Sequence, residues 1–202
     1  MAASKSDGGK YVGFKRMFIK VLDGKTVEPI VIEGKENEGA TVTASISGLA
    51  KEQTKVPGSD LDYYIARKGI GDVKVEFGLL DLPEGVSDIL AGYSVNEKGI
   101  TYIGQDTEPP MCAIILESGT LQGEKAMLGF FKGSFSRDEI SLETLNPSET
   151  FEPGAETWTY NAIASTLDGP SNGQYVGKAV GPKEDEMFEQ LKNEVLQIKT
   201  TP

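Results

Sequence analysis

Short runs of alternating apolar and polar residues are the sequence feature that most limits the folds open to this chain. In residues 40–47, Val42, Ala44 and Ile46 alternate with threonines and serines. In residues 73–79, valine, phenylalanine and leucine alternate in the same way with lysine, glutamate and glycine. A period of two residues is typical of a β-strand with one buried face, so both segments are predicted to be half-buried strands.

Further strands are predicted from runs of β-branched and aromatic residues that are bounded by turn residues. They cover residues 14–22, 26–33, 99–103, 112–118, 126–135, 139–144 and 156–164. Pro29 cannot donate a ladder hydrogen bond, so its strand is predicted at a sheet edge, in a hairpin with residues 14–22. Because no βαβ alternation is visible, we expect a mainly β fold, either a sandwich or a partial barrel.

Two segments have the periodicity of amphipathic helices. The first covers residues 81–92, where Asp81 as the N-cap and Glu84 form a capping box and Gly92 ends the helix. The second covers residues 184–198. Its apolar stripe consists of Phe188, Leu191, Val195 and Ile198. A helix of this length is marginally stable alone, so the stripe needs a surface on which to pack.

The segments that fit neither pattern indicate how the chain is divided. We predict an extended N-terminal arm over residues 1–10, a β domain over 11–166, a glycine- and proline-rich linker over 167–182 and a C-terminal amphipathic helix over 183–202. Within the domain, residues 49–71 form a long connection without an obvious strand or helix. Connections of this length are usually functional, often as binding loops.

The chain lacks the residue types on which most enzymes and metal sites depend. It has no histidine, which is the usual general base and the commonest transition-metal ligand. Its single cysteine, Cys112, excludes an internal disulfide and lies in an apolar run that is typical of a buried, inert thiol. We therefore expect a protein that is not an enzyme, binds no metal and needs no cofactor.

The charge balance restricts the partners that the chain can have. The formal net charge is −11, which disfavours tight binding to nucleic acid because phosphate neutralisation needs a surplus of lysine and arginine. An acidic surface can instead stay close to DNA without adhering to it. No apolar run is long enough to span a bilayer, and the first residues do not resemble a signal peptide, so folding in the cytoplasm is expected.

Two pairs of residues admit both a functional and an ordinary explanation. Glu76 and Glu143 lie on the polar faces of predicted strands and could form an acid pair for glycoside hydrolysis, although solvent-facing charge is the simpler explanation. Trp158 and Tyr160 could form a platform for a carbohydrate, but on an alternating strand such residues are more often in the core.

Several stretches resemble the major tail protein of siphophages that infect Gram-positive bacteria. They are SDGGKYVGF at 6–14, KVPGSD at 55–60, YYIARKGIG at 63–71, LLDLPE at 79–84, EPP at 108–110 and LGFFKG at 128–133. Each motif is short, but the set runs in order over about residues 1–165. Beyond Thr166 no resemblance is found, so the C-terminal helix is expected to be an addition to the family's fold.

This resemblance implies a tail-tube β-sandwich with one flanking helix. In that family six subunits close into a ring, strands join across subunits around a lumen, and an N-terminal arm and a long loop bridge stacked rings. The implied partners are further copies of the chain, a tape-measure protein, tail initiator and terminator proteins, and DNA that passes without specific binding. The implied location is the virion tail, assembled in the cytoplasm of the bacterial host.

The same resemblance assigns roles to eight residues. Residues expected at ring-stacking contacts are Lys10, Tyr11, Leu61, Tyr63, Tyr64 and Ile65. Glu76 and Glu143 are expected to be acids of the lumen. An alternative hypothesis is another phage or cell-surface β-sandwich, either a head decoration protein or a carbohydrate-binding adhesin that uses Trp158 and the tyrosines. A third is an enzyme that uses the Glu76–Glu143 carboxylate pair.

Overall fold

The structure is a computed structural model that describes residues 10–23, 28–36, 38–58, 60–66, 68–142, 144, 148, 150 and 153–198. The strands are β1 (Tyr11–Val21), β2 (Ile30–Ile32), β3 (Ala40–Ser47), β4 (Thr54–Gly58), β5 (Leu61–Ala66), β6 (Lys74–Leu80), β7 (Ser94–Val95), β8 (Thr101–Tyr102), β9 (Met111–Thr120), β10 (Lys125–Ser136), β11 (Glu156–Ala162) and β12 (Val176–Gly181). The helices are α1 (Glu84–Ala91) and α2 (Glu186–Val195). The predicted mainly β, sandwich-like fold is confirmed.

Eight of the strands form one antiparallel sheet. Seven follow the order β2-β1-β9-β10-β11-β6-β3, and β12 pairs with β10 off this path. Strand β10 makes this branch possible because it has 12 residues. Its first half pairs with β12 through Lys125–Phe130, and its last residues, from Gly133, pair with β11 on the same side. The two predicted strands with the clearest alternation, β3 and β6, are neighbours in this sheet.

The sheet curves until its last strand approaches the first. The Thr41 hydroxyl on β3 donates a 2.8 Å hydrogen bond to the Phe14 carbonyl on β1. The rings of Phe14 and Phe77 stack nearby, with centroids 6.2 Å apart. No ladder joins β3 to β1 among the described residues, so the sheet forms a partial barrel that is not closed.

The inner face of the curved sheet encloses the main hydrophobic core. Its largest fully buried side chains include Phe77, Phe130, Phe135, Trp158 and Tyr160. Helix α1 contributes buried residues to the same core at its C-terminal end. Aromatic rings in this core contact one another in tilted and edge-to-face pairs, which is the geometry that aromatic packing favours.

A second core lies on the outer face of the sheet, beneath helix α2. Phe18, Ile115 and Phe131 project from the sheet, and the predicted helix stripe supplies Phe188, Leu191 and Val195. Strand β9 therefore has apolar residues buried on both faces, which explains its unbroken apolar run in the sequence. These three residues of the predicted apolar stripe therefore pack on the sheet of the same chain.

Glycines in β10 and β12 let α2 approach the sheet closely. A Cβ atom at Gly129 would lie 2.5 Å from Val195 Cγ2, and one at Gly177 would lie 2.7 Å from Leu191 Cδ1. These two glycines are cross-strand partners. The prediction that residues 167–182 are a linker is therefore wrong for β12, where the glycines provide space for a helix.

The long connection at residues 49–71 is also more ordered than predicted. It contains β4 and β5, which pair with each other as an antiparallel hairpin separate from the main sheet. Asp60, at the turn, has a positive φ of 62°, a conformation that aspartate tolerates better than most residues. Pro57 marked the segment as irregular in the sequence, but the register shifts beside it, which is where a strand accommodates proline.

The predicted N-terminus of the first helix is wrong, whereas its C-terminus is confirmed. Helix α1 begins after Pro83, without a side-chain cap, and Asp81 has a φ of 51° that places it outside the helix. The amides of Val86 and Ser87 donate to the Pro83 carbonyl in place of the capping box. Gly92 ends the helix in the left-handed conformation.

The strand predicted over residues 139–144 is not formed in the described part of that segment. Residues 138–142 and 144 lie in no strand, and Glu143 lies outside the described residues. The alternation of Ile140 and Leu142 in the sequence has no counterpart in burial, because both side chains are exposed. Periodicity indicates which face could be buried, but a strand also needs a neighbour with which to pair.

Candidate assembly surfaces

The outer face of β3, β6 and β11 is a part of the main sheet that neither helix covers. Three cross-strand rows of residues form it: Thr157, Gly78 and Thr43; Thr159, Glu76 and Ser45; and Asn161, Lys74 and Ser47. We call these nine residues the open face. Short polar side chains predominate on it, and Lys74 and Glu76 are its charged residues. The sheet below it is half-buried, as the alternation predicted.

The edge of the open face has little protection against pairing with another strand. Strand β3 has β6 as its ladder partner, and its sequence, ATVTASIS, contains no charged residue and no proline. Soluble proteins usually block such edges with charges, proline or bulges. The register shift between Thr41 and Thr43 protects one part of the strand, and the proximity of β1 protects the same end. Residues 44–47 therefore form the accessible edge.

The two predicted lumen acids differ in how far the structure describes them. Glu76 lies on the open face and is exposed, so its predicted position on the polar face of a strand is confirmed. Glu143 lies outside the described residues. The proposed carboxylate pair is therefore not tested, and the role of either acid in a lumen stays a prediction.

The predicted stacking residues fall in two separate sheets. Lys10 and Tyr11 lie at the start of β1 in the main sheet, and Tyr11 is 39% exposed with the ammonium of Lys178 5.4 Å from its ring centroid. Leu61 begins β5 in the separate hairpin and is 73% exposed. The remaining three stacking residues, Tyr63, Tyr64 and Ile65, follow in β5. Both segments thus present apolar groups to solvent.

A chain of ion pairs borders the helix-covered part of the sheet. Glu117 is nearly buried and lies 3.3 Å from the Arg16 Nε atom and 3.4 Å from the Lys125 Nζ atom. Arg16 also pairs with Glu33, whose pKa is lowered chiefly by a hydrogen bond from Lys35 and by the charge of that residue. The ammonium of Lys125 lies 5.0 Å from the Phe188 ring centroid on α2.

The network has no local sequence pattern, because Arg16 lies about a hundred residues before Glu117 in the chain. Its position beside α2 indicates a structural role. Strands β1, β9 and β10 bring the charges together, and the cation above Phe188 joins them to the helix.

The groups with the most altered ionisation are structural. Burial, together with the charge of Asp23, raises the pKa of the Cys112 thiol to about 12, so the predicted inert thiol is confirmed as fully buried. Burial also raises the pKa of Tyr160, whose hydroxyl donates a 2.8 Å hydrogen bond to the Cys112 carbonyl.

Trp158 is 1% exposed, so it cannot serve as a surface platform for a carbohydrate. Within the described residues no group of acidic or cysteine side chains could hold a metal ion.

Comparison with known proteins identifies the family of the chain. None of the described helices is both long enough and apolar enough to cross a membrane. Among curated proteins, none matches the chain. The chain does match the family described as "Phage tail tube protein" over residues 16–197. This range includes α2, so the expectation that the C-terminal helix is an addition to the family's fold is wrong. Members of this family are structural components of the virion tail, and this chain belongs to the phage tail tube protein family.

Proposed function

We propose that this chain is the subunit of a siphophage tail tube in which six copies close into a ring, rings stack along the tail, and the lumen conducts DNA during ejection. The observation that best supports this proposal is the open face. Both helices pack elsewhere in the described chain, so these three strands keep a mainly polar face that neither helix covers.

The open face has the chemistry expected of a lumen wall. Its serine and threonine hydroxyls can hydrogen-bond water but bring no cluster of cations that would hold phosphate groups. Glu76 lies in its central row, and the chain as a whole has a net charge of −11. DNA that passes such a wall would meet repulsion and water in place of adhesive contacts.

Ring closure would use the edges of the main sheet. Residues 44–47 of β3 offer backbone groups without the charges that usually prevent edge pairing. A strand from the next copy could continue the sheet there, and six such junctions would leave no open edge in the ring. A closed ring also explains how a chain with an unprotected edge can remain soluble once it is assembled.

Stacking would use the arm and the β4–β5 hairpin. Lys10, Tyr11 and Leu61 are exposed, and Tyr63, Tyr64 and Ile65 share β5 with Leu61. Apolar contacts suit strongly acidic subunits, because like charges on successive rings repel one another. We propose that assembly proceeds on a tape-measure protein between tail initiator and terminator proteins, in the cytoplasm of a Gram-positive host.

The experiment that tests the proposal is assembly of the purified full chain. After concentration, negative-stain microscopy should show hollow tubes with a regular axial repeat, and class averages viewed down the axis should show six subunits. A chain that remains monomeric at every concentration, or that forms solid fibres, would contradict a tail tube subunit.

A charge-reversal pair tests the lumen assignment. Glu76→Lys changes the open face, whereas Glu189→Lys makes the same change on the exposed side of α2. Both variants should assemble, but phage carrying Glu76→Lys should release DNA more slowly than phage carrying Glu189→Lys. Equal ejection rates would show that the open face does not line the DNA path.

A further inference from the structure

The β7–β8 hairpin stands apart from the main sheet. Its two strands pair only with each other within the described chain, through Ser94 with Tyr102 and Val95 with Thr101. A two-stranded hairpin is marginally stable in water unless one of its faces is covered. A side-chain hydrogen bond of 2.8 Å from the Thr101 hydroxyl to the Asp88 carboxylate connects the hairpin to α1.

The hairpin and its neighbours expose large apolar side chains to solvent. Five of them are between 50 and 61% exposed: Ile89, Val95, Ile100, Tyr102 and Ile103. We call these five residues the hairpin patch. Val95 lies on the same face as Thr101 and therefore towards α1, whereas Tyr102 lies on the opposite face with Ser94. Both faces of the hairpin thus present apolar groups to solvent.

The hairpin patch has a defined shape in the isolated chain. The Asn96 side-chain oxygen accepts hydrogen bonds of 2.9 Å from the amides of Lys98 and Ile100, and its nitrogen donates to the Tyr102 hydroxyl. A cleft of about 150 Å³ lies beside it, lined in part by Tyr102, Ile103 and Gly92. A preformed apolar surface of this kind loses little conformational entropy when it binds a partner.

We propose that the hairpin patch docks onto a neighbouring copy of this chain in the assembled tube. The inference rests on the proposed function, because it takes self-assembly as given and names one of the contacts. A second copy is the occupant that self-assembly in the tail tube family implies. Two chains of net charge −11 repel each other, so an uncharged apolar surface suits a contact between them. The five patch residues are all uncharged and are clustered within fifteen positions of the chain.

A pair of matched substitutions tests this contact. Ile103→Glu places a charge in the hairpin patch, whereas Leu121→Glu places the same charge at the β9–β10 turn, where the side chain is 66% exposed. Both variants should fold with an unchanged melting temperature, because neither side chain is in a core. We expect Ile103→Glu to abolish tube formation and Leu121→Glu to assemble like the wild type. Normal tubes from Ile103→Glu, or loss of tubes in both variants, would overturn the inference.

Cysteine labelling gives a second measurement that does not depend on blocking assembly. The native thiol of Cys112 is buried, so Ile103→Cys and Leu121→Cys each introduce one accessible thiol. In tubes, maleimide labelling of Ile103→Cys should slow by about tenfold or more relative to the monomer, since a docked interface core excludes solvent. Equal labelling in tubes and monomers would overturn the inference. Absence of tubes from the wild-type chain would count against the proposed function itself.

Discussion

The two halves of the main sheet differ in what lies on their outer faces. Around β9, β10 and β12 the outer face is apolar and is covered by α2, so both sides of the sheet are buried. Around β3, β6 and β11 the outer face is polar and uncovered. The inner face is continuous and apolar beneath both halves. The same sheet therefore combines a three-layered half, which is stabilised within the chain, with a two-layered half that is free to meet water.

This difference indicates which substitutions should affect folding and which should affect assembly. Changes in the covered half remove packing that the isolated chain needs. Changes on the open face leave that packing intact, so their effects should appear only when copies of the chain meet one another or meet DNA. The following predictions test this division, from the largest expected effect to the smallest.

Truncation of the helix anchor should cause the largest loss. Phe188→Ala removes a ring that is 2% exposed between α2 and the sheet, and we expect the free energy of unfolding to fall by about 3–5 kcal/mol. Glu189→Ala, on the exposed side of the same helix, should change it by less than about 0.5 kcal/mol. Urea unfolding curves measure both values. A similar small change in both variants would mean that α2 contributes little to the covered half.

Filling the space beneath the helix should have an intermediate effect. A Cβ atom added at Gly129 would lie 2.5 Å from Val195. Gly129→Val should therefore push the helix away from the sheet and lower the free energy of unfolding by about 1–3 kcal/mol. Gly154→Val is the control, because no atom lies within 4 Å of a Cβ at that position. Thermal unfolding of both variants distinguishes a packing requirement from a general cost of replacing glycine. Equal melting temperatures would contradict close packing of α2.

Alkaline pH should weaken the main core, which both halves share, through Cys112. Its pKa is raised from 9.0 to about 12 by burial, so between these values the unfolded chain releases a proton that the folded chain keeps. The free energy of unfolding is therefore unaffected below pH 9 and falls as the pH rises above it, by up to about 1.4 kcal/mol per pH unit. Tyr160, whose pKa is also raised, acts in the same direction above pH 10.

The measurement is urea unfolding at pH 8.5 and at pH 10. The Cys112→Ala variant is the control: it should be less stable at both values because of the cavity, but its stability should change less between them. An identical pH dependence in the variant and the wild type would show that the thiol does not cause the loss.

The smallest effect is expected on the open face. Glu76 is exposed and lies between Thr159 and Ser45. Glu76→Gln should therefore change the free energy of unfolding by less than about 0.5 kcal/mol, as do most surface substitutions. Calorimetry of this variant beside Phe188→Ala directly compares the two halves. A loss above about 2 kcal/mol would show that the open face also contributes to folding.

Sequence patterns predicted best those elements whose burial is one-sided. The alternation of Val75 and Phe77 with Lys74 and Glu76 predicts a strand with one solvent-exposed face, and β6 is that strand. The spacing of Phe188, Leu191 and Val195 likewise records a helix with one buried face. In both cases the pattern is local, because successive residues alternate between water and the core.

The sequence patterns failed where the role of a residue depends on a contact with a distant segment of the chain. Gly177 and Gly181 were predicted to belong to a flexible linker. Their function is to leave space for side chains of α2, and that helix comes later in the chain. The ion pair between Arg16 and Glu117 depends on strands about a hundred residues apart. Of the candidate site, the exposed positions of Tyr11, Leu61 and Glu76 follow the sequence prediction, whereas their roles depend on contacts between copies.

The position of β12 and α2 in the chain has a consequence for the order of folding during synthesis. A ribosome makes them after every other described element, so the outer face of β10 remains uncovered until residues 176–195 emerge. Until then Phe131, Ile115 and Phe18 are exposed to the cell, and the nascent chain is prone to aggregate or to be bound by chaperones. The outer face of the sheet is covered only after α2 has been synthesised. An incomplete chain that stops before α2 would therefore keep this apolar face exposed to water.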